Sequence, residues 1–158
     1  MTATVRILRG DIFASSSRTL VNPVNCVGTS GAGLAREFKR RFPLSVFAYE
    51  RDVKSGDTSA RLAVGRPTEY GLLENEKRVV FFATKLHWRQ PSKAQWIVDG
   101  VSELSGQVCD HPAYYESIAI PALGCGLGGL QWEAVRPVIE HQAYVMKAHG
   151  VSVEIYEP

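Results

Sequence analysis

Short apolar runs alternate with longer amphipathic stretches along this chain. Residues 4–8 switch between polar and apolar in the manner of a strand, and Gly10 and Asp11 stop it. Residues 19–25 form a second extended run, in which Pro23 biases Asn22 away from helical geometry. A glycine-rich stretch over residues 28–33 then opens onto Leu34, Phe38 and Phe42, four residues apart on one helical face with charges opposite. Pro43 suits the first turn of another short helix, running through about Val53. Residues 61–64 and 68–70 read as an edge-type strand broken by Pro67. Residues 78–84 are continuously apolar, as a strand covered on both faces should be. Pro91 and Ser92 are expected to cap a helix whose Ala94, Ile97, Val101 and Leu104 share a face. After a last apolar run at residues 117–120, Pro137 is expected to mark a helix start. Ile139, Ala143 and Met146 line the core side of that helix, and Gly150 ends it. Residues 152–156 close the chain as an alternating strand.

No linker, repeat or low-complexity segment interrupts this order, so one domain over residues 1–158 is expected. Strands interleaved with helices predict a three-layer α/β/α sandwich around a mixed sheet of about six strands. Three polar features then fall at strand carboxyl ends: Asp11, Lys85 and the loop beginning at Gly124. That rim is where open α/β sheets hold ligands.

The loop is the most unusual stretch of the chain. Gly124, Gly126, Gly128 and Gly129 fall within six positions between an apolar run and a helix. Glycines forfeit side chains and add backbone entropy. Two readings stay open: a flexible turn, or a cradle of bare N–H groups for a phosphate. No Gly-Lys-Ser/Thr ending follows, which excludes a P-loop. The glycines do not open a first βαβ unit, which excludes a dinucleotide fingerprint. The earlier glycine loop at residues 28–33 feeds a helix N-terminus, another ready anion site.

Composition narrows the class without naming it. Hydrophobic residues make up 45% and charged residues 22%, ordinary for a soluble domain, and the net charge of +2 implies no polyanion partner by itself. Cys26, Cys109 and Cys125 show no Cys-x-x-Cys pair and no zinc spacing with His87, His111, His141 or His149. Reduced thiols in a cytoplasmic protein, with no structural metal, are expected. The start of the chain lacks the build of a signal peptide, and no run reaches the length of a membrane span.

Individual residues leave alternatives open. Asp11 is either a turn residue bonding its own backbone or a ligand acceptor. Asn22 and Asn25 are costly in an apolar strand unless paired, so they either pin the next loop or reach a ligand hydroxyl. Lys85 follows the most apolar strand. A lysine there either snorkels to solvent or points into the cleft, as a cation for a leaving group or as a neutral nucleophile. The second role is demanding, since only roughly one lysine in 2,500 is neutral at pH 7 unless burial lowers its pKa. His87, Trp88 and Arg89 combine an aromatic ring with basic groups, suited either to a nucleic-acid strand or to packing and surface charge.

Taken in order, Asn22-Pro23-Val24-Asn25, Gly31-Ala32-Gly33-Leu34, Thr84-Lys85-Leu86-His87-Trp88-Arg89 and the run from Gly124 to Trp132 resemble the macrodomain family of ADP-ribose-binding modules. Within it they resemble the ADP-ribosyl glycohydrolase branch, over nearly the whole chain. The resemblance implies that Asp11 and Ile12 hold adenine, and that Asn22 and Asn25 orient the distal ribose. It implies that Gly31, Ala32, Gly33 and Leu34 approach the ribose and diphosphate, and that Gly124, Cys125, Gly126, Leu127 and Gly128 close over the phosphates. It makes Lys85 catalytic, with Asn25 beside it. Human-type members carry an acid in the last glycine loop where this chain has Gly128. The His87-Trp88-Arg89 run and the Gly128-Gly129 pair are more similar to a DNA-acting antitoxin type, while Ala32 resembles the human-type loop.

The expectation is a cofactor-independent cytoplasmic monomer, away from membranes, that removes ADP-ribose from single-stranded DNA, with thymidine as the base. His87, Trp88 and Arg89 would grip the strand, and a cognate ADP-ribosyltransferase toxin is the expected partner. The alternatives are hydrolysis of protein Glu/Asp-linked ADP-ribose or O-acetyl-ADP-ribose, a non-catalytic reader, and a nucleic-acid module with a vestigial pocket.

Overall fold

A computed structural model describes residues 2–56 and 62–158. Its centre is a sheet of β1 (Val5–Leu8), β2 (Thr19–Asn25), β3 (Arg78–Lys85), β4 (Ser117–Pro121) and β5 (Ser152–Tyr156), in spatial order β1-β5-β4-β2-β3. The helices are α1 (Gly33–Arg41), α2 (Pro43–Lys54), α3 (Ala94–Asp110), the single turn α4 (Pro112–Tyr115) and α5 (Trp132–Ala148).

Strand alternation sorts the side chains into two cores. Val21, Val80, Phe82, Ile118, Ile120, Val153 and Ile155 face α3 and α5, meeting Ile97, Val101, Leu104, Ile139 and Met146. Leu20, Val24, Val79, Phe81 and Ala119 face the other way, onto Phe38, Phe42, Val46 and Tyr49 of α1, α2 and their junction. Both faces are covered, which explains why β3 reads as an uninterrupted apolar run. The three-layer arrangement is as expected.

The sheet itself differs from the expectation of a mixed, six-stranded one. Among the described residues it has five strands, and every pairing between them is parallel. The expected edge strand shrinks to one antiparallel bridge, in which Thr68 and Phe81 exchange hydrogen bonds of 3.0 and 2.7 Å. Pro67 has no N–H to extend that ladder, and a tight turn pairs Ala63 with Arg66 just before it. Arg61, the start of that expected strand, lies outside the described residues.

Two helix starts also differ. Pro137 lies inside α5, not at its beginning. The carbonyl it deprives of a donor belongs to Glu133, on the same exposed face, where water can satisfy it, while buried Val135 anchors the first turn. Ser92 does not cap α3, since Lys93 holds the cap position without a side-chain bond. The end of α5 is as expected: Gly150 has φ +89°, and Gly150 and Val151 donate to the carbonyls of Lys147 and Met146 at 2.9 and 3.1 Å. No helix of the described residues is long and apolar enough to cross a membrane.

Because all strands run parallel, their carboxyl ends share one rim. The chain leaves β2 toward β3 on one side and leaves β4 toward β5 on the other. β2 and β4 are neighbours, so the loops that follow them flank a crevice at the centre of the sheet.

Candidate active site

That crevice is a cleft of about 830 Å³ to which all five strand ends contribute. Gly10, Asp11 and Ile12 come from beyond β1, Asn25 from the end of β2, and Gly31, Ala32, Gly33 and Leu34 from beyond it. Thr84, Lys85 and Trp88 come from β3, residues 124–128 from beyond β4, and Tyr156 and Glu157 from β5.

Lys85 owes its position to a register shift. Val24 pairs with Ala83, but Asn25 pairs with Lys85, leaving Thr84 as an extra residue. Such a bulge re-aims the side chains beyond it. Lys85 is only 9% exposed, and its Nζ donates to the Trp88 carbonyl at 3.3 Å. Among the described residues no carboxylate pairs with it. The lysine therefore points into the cleft and does not snorkel outward.

Asn25 beside it is occupied by the first glycine loop. Its Oδ1 accepts from Val27 and Thr29 N–H at 3.1 and 3.2 Å, and its Nδ2 donates to the Thr29 carbonyl at 2.8 Å. The Tyr49 hydroxyl, buried in the core below, donates to the Asn25 carbonyl at 2.7 Å. Asn22 does not reach the cleft. It lies one pleat deeper, fully buried, with neither amide atom paired among the described residues. Asn22 shares a face with Val24 but stands two residues further from the carboxyl end of β2, beneath the cleft floor, which removes it from the expected ribose contacts.

The two glycine loops face each other across the cleft. Ala32 holds the cap position of α1 and gives it no side-chain cap, so the first N–H groups of the helix are left for another acceptor. On the other side, Cys125, Gly129 and Leu130 donate to the carbonyls of Ala122, Gly126 and Gly124. The N–H groups of Gly126, Leu127 and Gly128 between them are not taken up by the chain's own carbonyls among the described residues. Leu127, 71% exposed, leans over the gap, its Cδ1 3.6 Å from the point where a Cβ on Gly33 would stand. Two sets of bare donors aimed at one gap suit a diphosphate.

Position 128 tolerates no side chain. A Cβ there would stand 2.3 Å from Ser92 Oγ and 2.5 Å from the Gly124 carbonyl oxygen. Ser92 is drawn against this loop, which is why it does not cap α3: its N–H donates to the Gly128 carbonyl at 3.0 Å, and its buried Oγ is unpaired. The geometry thus excludes a carboxylate from the place where human-type glycohydrolases are expected to carry one.

The cleft is electrically polarised. Its carboxylates, Asp11 and Glu157, sit at the β1–β5 end, and Lys85 sits at the β2–β3 end. Asp11 is the turn residue considered above, and it also lines the cleft. Its Oδ1 accepts from Phe13 N–H at 2.9 Å, capping a 3₁₀ turn at Ile12–Ala14. Glu157 is held below the usual carboxylate range by its hydrogen bond with Arg9, 2.8 Å away, with Arg136 assisting. Burial pushes the thiols of Cys26 and Cys125 up, and Glu133 adds to the shift at Cys125.

Trp88 lines the cleft, whereas His87 and Arg89 stand on its outer rim. His87 stacks on Trp88 with centroids 5.3 Å apart, and the Arg89 guanidinium lies 4.6 Å from the Trp88 ring centre. The His87 Nδ1 accepts from Arg89 N–H at 3.1 Å, shaping the turn whose Trp88 carbonyl receives Lys85. Tyr156 and Glu157 were not among the residues expected at the site. The signal for them was present: in a parallel sheet, the residues after the last strand must reach the same rim.

The macro domain family pattern matches residues 21–139. The chain is 41% identical over 127 residues, or 80% of its length, to the DNA ADP-ribosyl glycohydrolase of Mycobacterium tuberculosis, of which it covers 35%. The macrodomain of Thermus aquaticus DarG superposes with a TM-score of 0.84 at 35% identity, covering 99% of both chains. Thermosipho africanus DarTG in complex with ADP-ribose superposes with a TM-score of 0.87 at 30% identity, covering 99% of this chain and 42% of that one. The chain spans 35% to 43% of the length of the DNA-acting curated relatives it matches.

Proposed function

This chain belongs to the macro domain family, and from that premise we propose that it is an ADP-ribosyl glycohydrolase acting on single-stranded DNA. It removes ADP-ribose from a modified base, thymidine being the expected one, and so reverses the work of a cognate ADP-ribosyltransferase toxin. The relatives named as DNA ADP-ribosyl glycohydrolases support the substrate class. The observation that carries the reading is the polarity of the cleft: an acid at one end, a buried lysine at the other, and two sets of free backbone donors between them.

ADP-ribose has a matching order of groups. Asp11 accepts from the adenine amino group, with Ile12 against the ring. The donors of α1 and of residues 126–128 take the diphosphate. Asn25, Leu34 and the loop it precedes flank the distal ribose, and Lys85 stands at its anomeric carbon.

Two roles for Lys85 were open, and the surroundings favour one. A neutral amine attacking carbon needs a group to take its proton, and position 128 has no room for a carboxylate. As an ammonium, Lys85 needs no such partner. Water adds to the anomeric carbon, the bond from that carbon to the base nitrogen breaks, and the electron pair leaves with the base. Lys85 stabilises that charge or supplies the proton that neutralises it, and the proton lost by the attacking water balances the transfer. Backbone donors to charged oxygens contribute about 1.5–3 kcal/mol each, so several would account for much of a micromolar affinity of about −8 kcal/mol. A reader that binds without hydrolysis is therefore the second reading.

The test is release of ADP-ribose from single-stranded DNA carrying ADP-ribosyl-thymidine, by wild type and by Lys85→Ala, with ADP-ribose binding measured calorimetrically. Release by wild type alone, with binding kept in both, is the expected outcome. Intact conjugate beside tight wild-type binding would leave the reader. An adduct to Lys85 trapped by borohydride would overturn the cationic role.

A further inference from the structure

We propose that a second aromatic–cation pair, Lys93 and Trp96 at the start of α3, binds a nucleotide flanking the modified base. The inference deepens the DNA-acting reading above and rests on it for its substrate class.

The first observation is a run of sequence. From Lys77 to Val98 the chain contains no Asp or Glu, yet carries Lys77, Arg78, Lys85, Arg89 and Lys93. The last three of these lie beyond β3 or at its carboxyl end, on the cleft side of the sheet. A segment of one charge sign beside an anion cleft suits a phosphate backbone. The next carboxylate, Asp99, is hydrogen-bonded at 2.7 Å to Gln95 Nε2 on the same helix.

The second observation is a repeated unit. Arg89 sits 4.6 Å from the Trp88 ring centre, and Lys93 Nζ sits 5.2 Å from the Trp96 ring centre. Trp88 is 47% exposed and Trp96 is half-buried, so neither ring is spent in the core. Aromatic rings beside cations, repeated along a groove, are what single-stranded nucleic acid binds without regard to sequence, since every base has a π-face.

The third observation fixes the pair beside the cleft. Ser92 N–H holds the Gly128 carbonyl at 3.0 Å, and Ile97 Cδ1 comes within 3.3 Å of where a Cβ on Gly124 would stand. The first turn of α3 is therefore packed onto the same loop that offers donors to the diphosphate. A strand whose modified base enters at Lys85 passes Trp88 at the cleft mouth, and the rim leads from there through Ser92 to Lys93 and Trp96.

Affinity for unmodified single-stranded oligothymidylate, measured across a salt series, tests this without hydrolysis. Trp96→Ala should weaken binding by roughly fivefold or more, and Trp96→Phe, which keeps a ring, should recover most of it. Lys93→Ala should weaken binding and lower the slope of log K against log salt by about 0.7 to 1. If Trp96→Ala does not fold, the Lys93→Ala slope alone decides. Unchanged affinity and slope in the folded variants would overturn the proposal. Loss of oligonucleotide binding in the variants, beside no ADP-ribose release by wild type, would keep this site and reject the hydrolase reading instead.

Discussion

The two glycine loops of the cleft look alike in sequence and differ in what their glycines are for. In the loop after β2, a Cβ at Gly31 would meet nothing nearer than the Thr29 methyl at 3.8 Å, and at Gly33 nothing nearer than Leu127 at 3.6 Å. Nothing in the protein crowds these two positions, whereas at the base of the loop a Cβ on Gly28 would stand 3.1 Å from Lys54 Cε. In the loop after β4, a Cβ at Gly124 would stand 2.8 Å from Leu130, and one at Gly128 would collide with Ser92 and with the Gly124 carbonyl. There the glycines let the loop fold onto itself and onto the start of α3. One loop is open toward the cleft at Gly31 and Gly33, and the other is locked by the protein at Gly124 and Gly128. Glycine-rich loops are thus not interchangeable, even across one cleft.

The sharpest way to break that comparison is to add a methyl group to the locked loop. Gly128→Ala should cost about 3 kcal/mol or more, because one of its two collisions is with backbone that cannot rotate away. Chemical denaturation checks it. Ser92→Gly in the same chain should restore part of the loss, since it removes the Oγ collision and leaves the carbonyl one. Gly128→Asp should be at least as destabilised and should gain no activity. A folded, more active Gly128→Asp protein would overturn both the packing argument and the cationic role assigned to Lys85.

A smaller effect distinguishes the supports beneath the two loops. Tyr49 donates to the Asn25 carbonyl, and Asn25 in turn pins the first loop. Burial, with the neighbouring Cys26 and Glu50, pushes the Tyr49 hydroxyl well above its ordinary value near 10. The folded protein thus holds this proton more tightly than the unfolded chain. Its contribution is fully present below about pH 10 and is lost as pH rises above that, at up to about 1.4 kcal/mol per pH unit. Tyr115, pushed up to about 12 by burial, adds a similar slope elsewhere in the protein. Tyr49→Phe should cost about 1 kcal/mol at neutral pH and show a shallower loss of stability between pH 10 and 11. Parallel slopes for the two proteins would mean that the Tyr49 proton is not held by the fold.

Much of this was legible in the chain and some was not, for identifiable reasons. The strands at Thr19–Asn25 and Ser152–Tyr156 have the bounds of the extended runs in the sequence, the first buried almost throughout and the second alternating after the stop at Gly150. Sheet direction was not legible, because residues 61–70 carry β-type residues and only the pairing reveals a single bridge. Asp11, Lys85 and the loop at Gly124 share one rule, that ligands gather at strand carboxyl ends, whereas the loop at residues 28–33 shows in its glycines and the helix they open. Asn22 was misplaced because two asparagines in one strand look equivalent until the pleat separates them. The Thr84 bulge, which aims Lys85, leaves no mark in residue type at all. Ser92 carried a helix-cap signature that tertiary packing against Gly128 overrode.

The unhindered glycine in each loop offers the finest test, because there the stability and ligand effects should separate. Gly31 and Gly126 both have ordinary negative or extended backbone angles, and neither has a neighbour that a methyl group would strike. Gly31→Ala and Gly126→Ala should therefore change stability by no more than about 0.5 kcal/mol, and a gain is as consistent as a loss, since alanine restricts the unfolded chain. Binding should respond differently. A methyl group that holds the diphosphate off one backbone donor forfeits about 1.5–3 kcal/mol, which is roughly tenfold or more in affinity for ADP-ribose. Calorimetry on both variants, beside their melting curves, reads the two quantities independently. Weakened binding at unchanged stability means that these glycines face the ligand. Unchanged binding at both positions would mean that the diphosphate sits elsewhere, and the polarity argument for the cleft would lose its middle.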